Sequence, residues 1–433
     1  MIKYKNIYFI GIGGIGMSAI VRMIKTQGAV ISGSDMFESD VTHGLQKLGV
    51  VVNFEQVAEN LPVEIDCVVY TTAIGDDNPE FVEAQKRGLP IFKYSEMLGQ
   101  LSSGMDTIAV SGTHGKTTVT AMISKVFSGV DLEPHTIVGS LLPEFKSNYI
   151  KGGSTEKGGN ILITEACEYK RSFLNLEPKH VVITNIDEDH LDYYQDLSDI
   201  QDAFISLCKK LPEDGKIICD PSLPHLAPIV EKFGEKIIDY KKFLNDVPEM
   251  KVIGDHNKLN GAAALAVVSI FAPDKAELAQ SALSEFSGTW RRLENRGKTT
   301  SGTQLYDDYA HHPDEILAGI KALKGAFPNK KLCIFFQPHL YSRTKILFDD
   351  FVKVFSAEAK GKSFIDELYL LPIYAAREPA DPEISSEILA KKTGATFVEN
   401  FATAAEIASE KNAESVVVTM GAGDVYKILD LVV

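Results

Sequence analysis

Short apolar runs alternate along the chain with amphipathic stretches, and the runs repeatedly end in glycine or in polar residues. Residues 7–12, 67–71, 108–110, 161–164 and 181–186 are predominantly apolar and of strand length. Hydrophobicity that is continuous rather than alternating marks strands buried on both faces of a parallel sheet. The stretches between them carry apolar residues at helical spacing, such as Ile20, Met23 and Ile24, then Val119, Met122, Ile123, Val126 and Phe127. The pattern resumes beyond about Thr299, with runs near 305–309, 332–336, 368–371, 396–398 and 416–420. Strand alternating with helix predicts an α/β protein with mostly parallel sheets. A charge-poor link at 101–104 and the change of pattern near 297 divide the chain into domains 1–104, 105–297 and 298–433. The first and third are expected to be Rossmann-like, and the central one a P-loop ATPase-like parallel sheet.

Two glycine-rich turns stand at strand-to-helix junctions. At 108–118 the apolar run passes through Gly112, Thr113, His114 and Gly115 into Lys116, Thr117 and Thr118. Strand, glycine turn and helix N-terminus make a phosphate cradle. Backbone N–H groups and the helix dipole favour the anion, Lys116 neutralises it, and the Thr117 hydroxyl can ligate Mg²⁺. The spacing departs from the usual P-loop, which places a glycine where Val110 stands. At 7–16 a strand leads into Gly11, Gly13, Gly14 and Gly16, and a second strand ends at Asp35. G-x-G-x-x-G with an acidic residue roughly 20 positions on is a dinucleotide-fold pattern. It predicts a pyrophosphate at this helix N-terminus, from NAD or a UDP-sugar; a turn serving only helix–strand packing is the alternative. The turn at Thr72 is placed to close over the same ligand.

Other strand ends carry polar clusters: Glu165-Ala-Cys-Glu168, Asp187-Glu-Asp-His190, Asp307-Asp-Tyr-Ala-His311-His312-Pro313, Gln337-Pro-His339-Leu-Tyr-Ser-Arg343 and Gly421-Ala-Gly-Asp424. Ligands of open α/β sheets bind at the carboxyl ends of strands. Glu165 and His190 near Thr117 suit a Mg²⁺ shell; a helix-start charge and a packed histidine are the alternatives. Asn257 and Asn260 share a face of a helix's first turn, where amides can read an adenine edge or simply cap the helix. Arg291-Arg292 is a paired-arginine loop suited to phosphate or ribose, or else a solvated charge run. His311 and His312, if in a strand, face opposite ways, and Pro313 starts a helix.

Composition narrows the classes. Over 433 residues the formal charge is −15 with no long like-charge block, which argues against nucleic acid. Five widely spaced cysteines, without a CxxC, read as buried thiols of a reducing cytoplasm. The absence of an apolar run near 18 residues argues against a membrane span, and the N-terminus leaves no room for a signal peptide.

Taken in order, these motifs resemble the ATP-dependent Mur ligases over essentially the whole chain, and within them the members that act on UDP-N-acetylmuramate itself. The resemblance is carried by Gly-Ile-Gly-Gly-Ile-Gly-Met at 11–17, Ser-Gly-Thr-His-Gly-Lys-Thr-Thr at 111–118 and Glu165-Ala-Cys-Glu168. It continues through 184–190, His256-Asn-Lys-Leu-Asn260, Arg291-Arg292, 307–313, 336–339 and 421–424. It implies an ATP- and Mg²⁺-dependent ligase joining L-alanine to the lactyl carboxylate of UDP-N-acetylmuramate through an acyl phosphate, in cytoplasmic peptidoglycan precursor synthesis. The alternative is attachment of a ready-made murein tripeptide. By this resemblance Gly11, Gly13, Gly14, Ile15, Gly16, Asp35 and Thr72 would hold the UDP-sugar. The ATP would take Gly112 to Thr118, Asn257, Asn260, Arg292 and Asp308; Thr117, Glu165 and His190 would serve Mg²⁺. His339 and Arg343 would hold the amino acid, with Lys116, His190 and His311 as the catalytic set, the two histidines being candidate bases. Leu340 stands where the family often has arginine, so carboxylate recognition falls to Arg343. A nicotinamide oxidoreductase would explain only residues 7–35, and a folylpolyglutamate-type ligase would leave the first domain without a role.

Overall fold

The protein, a computed structural model, is described over residues 2–142, 147–190, 193–356, 364–376 and 378–432. Among these residues the strands form three sheets. The first is parallel throughout, in the order β3-β2-β1-β4-β5, with β1 Asn6–Ile10, β2 Val30–Ser34, β3 Val51–Asn53, β4 Cys67–Tyr70 and β5 Ile91–Lys93. Strand order reverses between β1 and β4, so the crevice expected of a doubly wound sheet opens at the carboxyl end of β1, where the first glycine turn lies.

The second sheet runs β12-β11-β10-β6-β9-β7-β8. Its strands are β6 Asp106–Ser111, β7 His135–Leu142, β8 Ser147–Ile150, β9 Ile161–Glu165, β10 His180–Ile183, β11 Lys216–Cys219 and β12 Ile237–Asp239. All neighbours are parallel except β7 and β8. Because β6 lies between β9 and β10, the cradle that follows β6 is flanked by the carboxyl ends of both.

The third sheet runs β13-β14-β18-β15-β16-β17, with β13 Glu294–Lys298, β14 Gln304–Asp308, β15 Lys331–Phe336, β16 Glu367–Leu370, β17 Thr396–Phe397 and β18 Ser415–Met420. Only β13 pairs antiparallel. It begins before residue 298, so the arginine loop leads directly into this sheet.

The chain divides into two compact units, Met1–Glu249 with Leu259–Phe286 and Met250–Lys258 with Ser287–Val433. The first two sheets share the first unit and one apolar core, which includes Phe9, Ile20 and Met97 as well as Leu162, Ile183 and Phe204. The helix Lys116–Gly129 turns Val119, Met122, Ile123, Val126 and Phe127 fully inward, as its apolar spacing requires. Each such side chain contributes about 1.5–3 kcal/mol. Polar contacts join the two sheets' elements: Asn148 Nδ2 of β8 donates to Ile15 O at 2.5 Å and to Ser18 Oγ at 2.8 Å.

The apolar runs located ten of the strands and the strand read before Asp35 is β2; β3, β5, β7, β8, β11, β12 and β13 are the others. Several of these are three or four residues long, and β3 is half-exposed at a sheet edge, so no apolar block announces them. His311 and His312 lie beyond the end of β14, not within a strand; His312 caps the helix Pro313–Ala326, which Pro313 starts as expected. Four cysteines are buried, but Cys167 is exposed in the turn after β9. No described helix is long and apolar enough to cross a membrane.

Candidate active site

The cradle after β6 is built by backbone that only glycine adopts easily. Gly112 has φ +128° and a Cβ there would sit 2.8 Å from Asn185 O, while Gly115 has φ +86° at the N-terminus of the helix Lys116–Gly129. The turn is pinned to the end of β10. Asn185 Oδ1 accepts from His114 N at 2.9 Å, Thr184 Oγ1 donates to His114 O at 2.5 Å, and Thr113 Oγ1 accepts from Asp187 N at 2.8 Å. Thr118 is half-buried on the first helical turn, and Asn260 lies close to Gly115, with its Oδ1 3.1 Å from where a Cβ would stand.

Lys116 and Thr117 point to the other flank, the end of β9. Thr117 Oγ1 donates to Glu165 Oε2 at 3.1 Å, and the other Glu165 oxygen accepts from Gly139 N. Lys116 Nζ donates to Gly112 O at 2.6 Å, to Thr113 O at 3.1 Å and to both oxygens of Glu168 at 3.0 and 3.1 Å. Burial would pull the lysine down, but Glu168 outweighs it and holds the ammonium above its ordinary value, fully charged. His190, at φ +57°, brings Nε2 within 3.9 Å of Glu168 Oε1 and 3.7 Å of Asp189 Oδ2, with its ring against Tyr169. Glu168, Asp189 and His190 thus offer three ligand atoms within 4.8 Å of one another. The donor set of Thr117 and Glu165 on one side, and of Glu168 and His190 on the other, is oxygen-rich with one imidazole, which fits Mg²⁺. Sequence reasoning assigned nothing to Glu168. Its signal was the second acid of Glu165-Ala-Cys-Glu168, and only the fold shows that this acid meets Lys116.

The first glycine turn lies in the same unit. Gly13 N donates to Asp35 Oδ2 at 2.8 Å, so Asp35 braces the turn with one oxygen. Gly11, Gly14 and Ile15 complete the turn into the helix Ile15–Thr26. Thr72 is exposed, and it is Thr71 that packs on Gly11. A Cβ on Gly16 would stand 2.7 Å from the Tyr94 ring. Burial, then the charge of Glu165, pushes the Tyr94 phenol up. Tyr94 thus packs on the helix start at Gly16 and feels the charge of Glu165, the carboxylate that accepts from Thr117.

In the second unit the arginine pair separates. Arg291 is 2% exposed and fully engaged: Nε donates to Asp307 Oδ2 at 2.8 Å, and its terminal nitrogens to Gly423 O at 2.6 Å and Gly421 O at 2.5 Å. It is a core residue, not a ligand-reaching one, because burying a guanidinium demands this saturation. Arg292 remains half-exposed beside Glu315 and Tyr309. Asp308 is buried at the end of β14, and burial pushes its carboxyl up to about 7 against the pull of Arg292. His311 Nδ1 is 3.1 Å from Tyr309 O and 3.4 Å from Glu315. Its ring lies 6.1 Å from that of His339, which stacks on Tyr374. Burial lowers both histidines, His339 to about 4, and the Arg343 charge lowers both further, so both are neutral near pH 7. Leu340, at φ +70°, opens the short helix that carries Arg343. Asn257 is buried and donates to Ile253 O at 2.7 Å. The fold thus gathers the residues into two groups: the glycine turns, Glu165, His190 and Asn260 in the first unit, and Asn257, Arg292, Asp308, His311, His339 and Arg343 in the second.

Family models match along the chain in this same order. They are the Mur ligase family catalytic domain over residues 6–105, the Mur ligase middle domain over 110–247 and the Mur ligase glutamate ligase domain over 291–423. The chain belongs to the Mur ligase family. Among curated relatives it is 36% identical to the UDP-N-acetylmuramate–L-alanine ligase of Lachnospira eligens, with 98% of this chain and 96% of the relative covered. It is 37% identical to that of Clostridium perfringens, with 99% and 97% covered. In structure it is similar to the UDP-N-acetylmuramate-alanine ligase of Thermotoga maritima, with a TM-score of 0.79, 26% identity and 99% and 98% covered. A murein peptide ligase of Psychrobacter arcticus shares the fold, with a TM-score of 0.73 and 20% identity over 99% of this chain and 98% of that one.

Proposed function

We propose that this protein is the alanine-adding ligase of peptidoglycan precursor synthesis, joining L-alanine to the lactyl carboxylate of UDP-N-acetylmuramate at the expense of ATP, in the cytoplasm. The observation that carries the reading is the full-length likeness to ligases of that name, together with two glycine-rich turns at strand-to-helix junctions of one unit. Such a pairing suits a reaction in which the carboxylate of a UDP-sugar attacks the γ-phosphate of ATP.

Phosphoryl transfer asks the protein for position and charge neutralisation rather than covalent participation. In this reading Gly112 to Thr118, Asn257, Asn260, Arg292 and Asp308 hold the nucleotide, and Lys116 compensates the phosphate charge. Gly11 to Gly16, Asp35 and Thr72 hold the UDP-sugar. Thr117, Glu165 and His190 would hold Mg²⁺, which when bound shields the phosphates from the approaching carboxylate. Attack yields an acyl phosphate and ADP; the amine of alanine then adds to the acyl carbon, and phosphate leaves as the amide forms. His339 and Arg343 hold the alanine carboxylate. A neutral imidazole can take the ammonium proton, and His311 has the neutrality for it, with His190 as the other candidate.

The deciding experiment measures phosphate release from ATP and Mg²⁺ with UDP-N-acetylmuramate, in one arm with L-alanine and in the other with L-Ala-D-Glu-diaminopimelate. Release with alanine alone is expected. Release with the tripeptide alone would move the protein to wall recycling, and silence in both arms would remove the muramate assignment.

A further inference from the structure

Tyr94 opens the helix Tyr94–Ser102 directly after β5, and its ring packs against the apolar core of the first unit. The hydroxyl end of the ring meets the start of the helix Ile15–Thr26. A Cβ on Gly16 would stand 2.7 Å from the ring and 2.8 Å from the phenol oxygen, closer than a real Cβ approaches. Gly16 lies inside that helix and its φ is not positive, so the backbone does not call for glycine there. What the missing side chain admits is the phenol. A tyrosine hydroxyl taken out of bulk water usually finds a hydrogen-bond partner. Tyr94 is half-buried, yet among the described residues its hydroxyl has none. A phenol carries its proton at neutral pH, and burial, then the charge of Glu165, favours that form further. The group is therefore a donor, set beside a helix start whose first N–H groups lack intrahelical acceptors and favour an anion.

We infer that Tyr94 is a further substrate-binding residue: its hydroxyl donates a hydrogen bond to the pyrophosphate of the UDP-sugar at the start of the helix Ile15–Thr26, through the space that Gly16 leaves open. The inference rests on the first glycine turn being the UDP-sugar site, and adds to it a side-chain donor from a different helix. A hydrogen bond to a charged oxygen is among the stronger ones, and its loss weakens binding by about tenfold or more.

The test is calorimetric binding of UDP and of UDP-N-acetylmuramate to the full chain and to Tyr94→Phe, which keeps the ring against Gly16 and removes only the hydroxyl. A non-hydrolysable ATP analogue, titrated into both proteins, reports on the second glycine turn. Tyr94→Phe should bind both uridine ligands at least tenfold more weakly and the ATP analogue as the parent does. In turnover, KM for UDP-N-acetylmuramate should rise by the same factor while KM for ATP stays unmoved. Parent-like affinity for both uridine ligands overturns the inference and leaves the UDP-sugar reading standing. So does a loss seen with UDP-N-acetylmuramate and not with UDP, because the hydroxyl would then serve the sugar. An equal loss of the ATP analogue also overturns it, because the hydroxyl would then serve the fold. Failure of the parent to bind either uridine ligand overturns the inference and the UDP-sugar reading together.

Discussion

At the scale of single residues, charge placement decides what each side chain can do. Lys116 is the cation in the cradle, and the charge of Glu168 keeps it protonated against the pull of burial. Removing one preorganised charge-stabilising group costs on the order of 10²–10³ in rate, about 3–4 kcal/mol. Lys116→Ala is therefore expected to lower turnover by at least that factor while the circular dichroism spectrum stays that of the parent. Near-normal turnover would exclude the cradle from the chemistry. Asp308 gives a prediction about stability. Its folded value of about 7 lies above its ordinary 3.8 because burial disfavours the charged form. The folded state then binds this proton more tightly than the unfolded state. The resulting stabilisation is complete below the ordinary value and is lost as pH rises through about 7. Asp308→Asn, neutral at every pH, should flatten that part of the curve. Melting temperatures of the ligand-free protein taken from pH 4 upward would show the parent falling more steeply than the variant, and parallel curves would mean that Asp308 is not the group responsible.

At the scale of elements, the order β10-β6-β9 explains why residues far apart in sequence meet. Lys116 and Glu168 are 52 positions apart, and Asn185 is 71 positions from His114. Each pair lies just beyond neighbouring parallel strands whose carboxyl ends are level. Local patterns showed that β6, β9 and β10 exist and end in polar residues, but not that β9 and β10 flank β6; that adjacency depends on long-range packing. For the same reason Arg291-Arg292 read as one paired-arginine loop, suited to phosphate or ribose or else solvated. Nothing local distinguishes them, and only the closing of Gly421 and Gly423 over Arg291 commits it to the core. Asp35 shows a milder form of the problem: its spacing from Gly11 was legible, its bond to Gly13 N was not. The cradle itself depends on glycine for geometric rather than compositional reasons. Gly112→Ala must place a Cβ 2.8 Å from Asn185 O at a φ of +128°, and so must push the turn off the end of β10. Left-handed backbone alone costs an L-residue about 1–2 kcal/mol, and the clash adds to it. The variant should melt several degrees below the parent and bind an ATP analogue at least tenfold more weakly, as calorimetry would show. A variant with parent-like affinity would mean that the turn does not contact phosphate.

At the scale of the whole molecule, the residues assigned to one nucleotide are divided between two separately packed units. Gly112 to Thr118 and Asn260 belong to the first, while Asn257, Arg292 and Asp308 belong to the second. The helix Asp255–Phe271 starts among residues of the second and continues into the first, so its two asparagines fall on opposite sides of the division. A ligand that binds only the folded state stabilises it by RT ln(1 + [L]/Kd), about 2.7 kcal/mol at a hundredfold excess over Kd. That free energy appears as slowed hydrogen exchange wherever the ligand's contacts must break for the backbone to open. If one ATP is held by both groups, an analogue at saturating concentration should slow exchange in two places at once: the turn at 111–118, and the segments around Arg292 and Asp308. Because Arg291 already locks the second unit's own turn at 421–423, protection there should change little, which supplies an internal reference. Protection confined to 111–118 would mean that the second unit serves the amino acid alone. The roles of Asn257, Arg292 and Asp308 would then have to be reassigned, while the cradle kept its own.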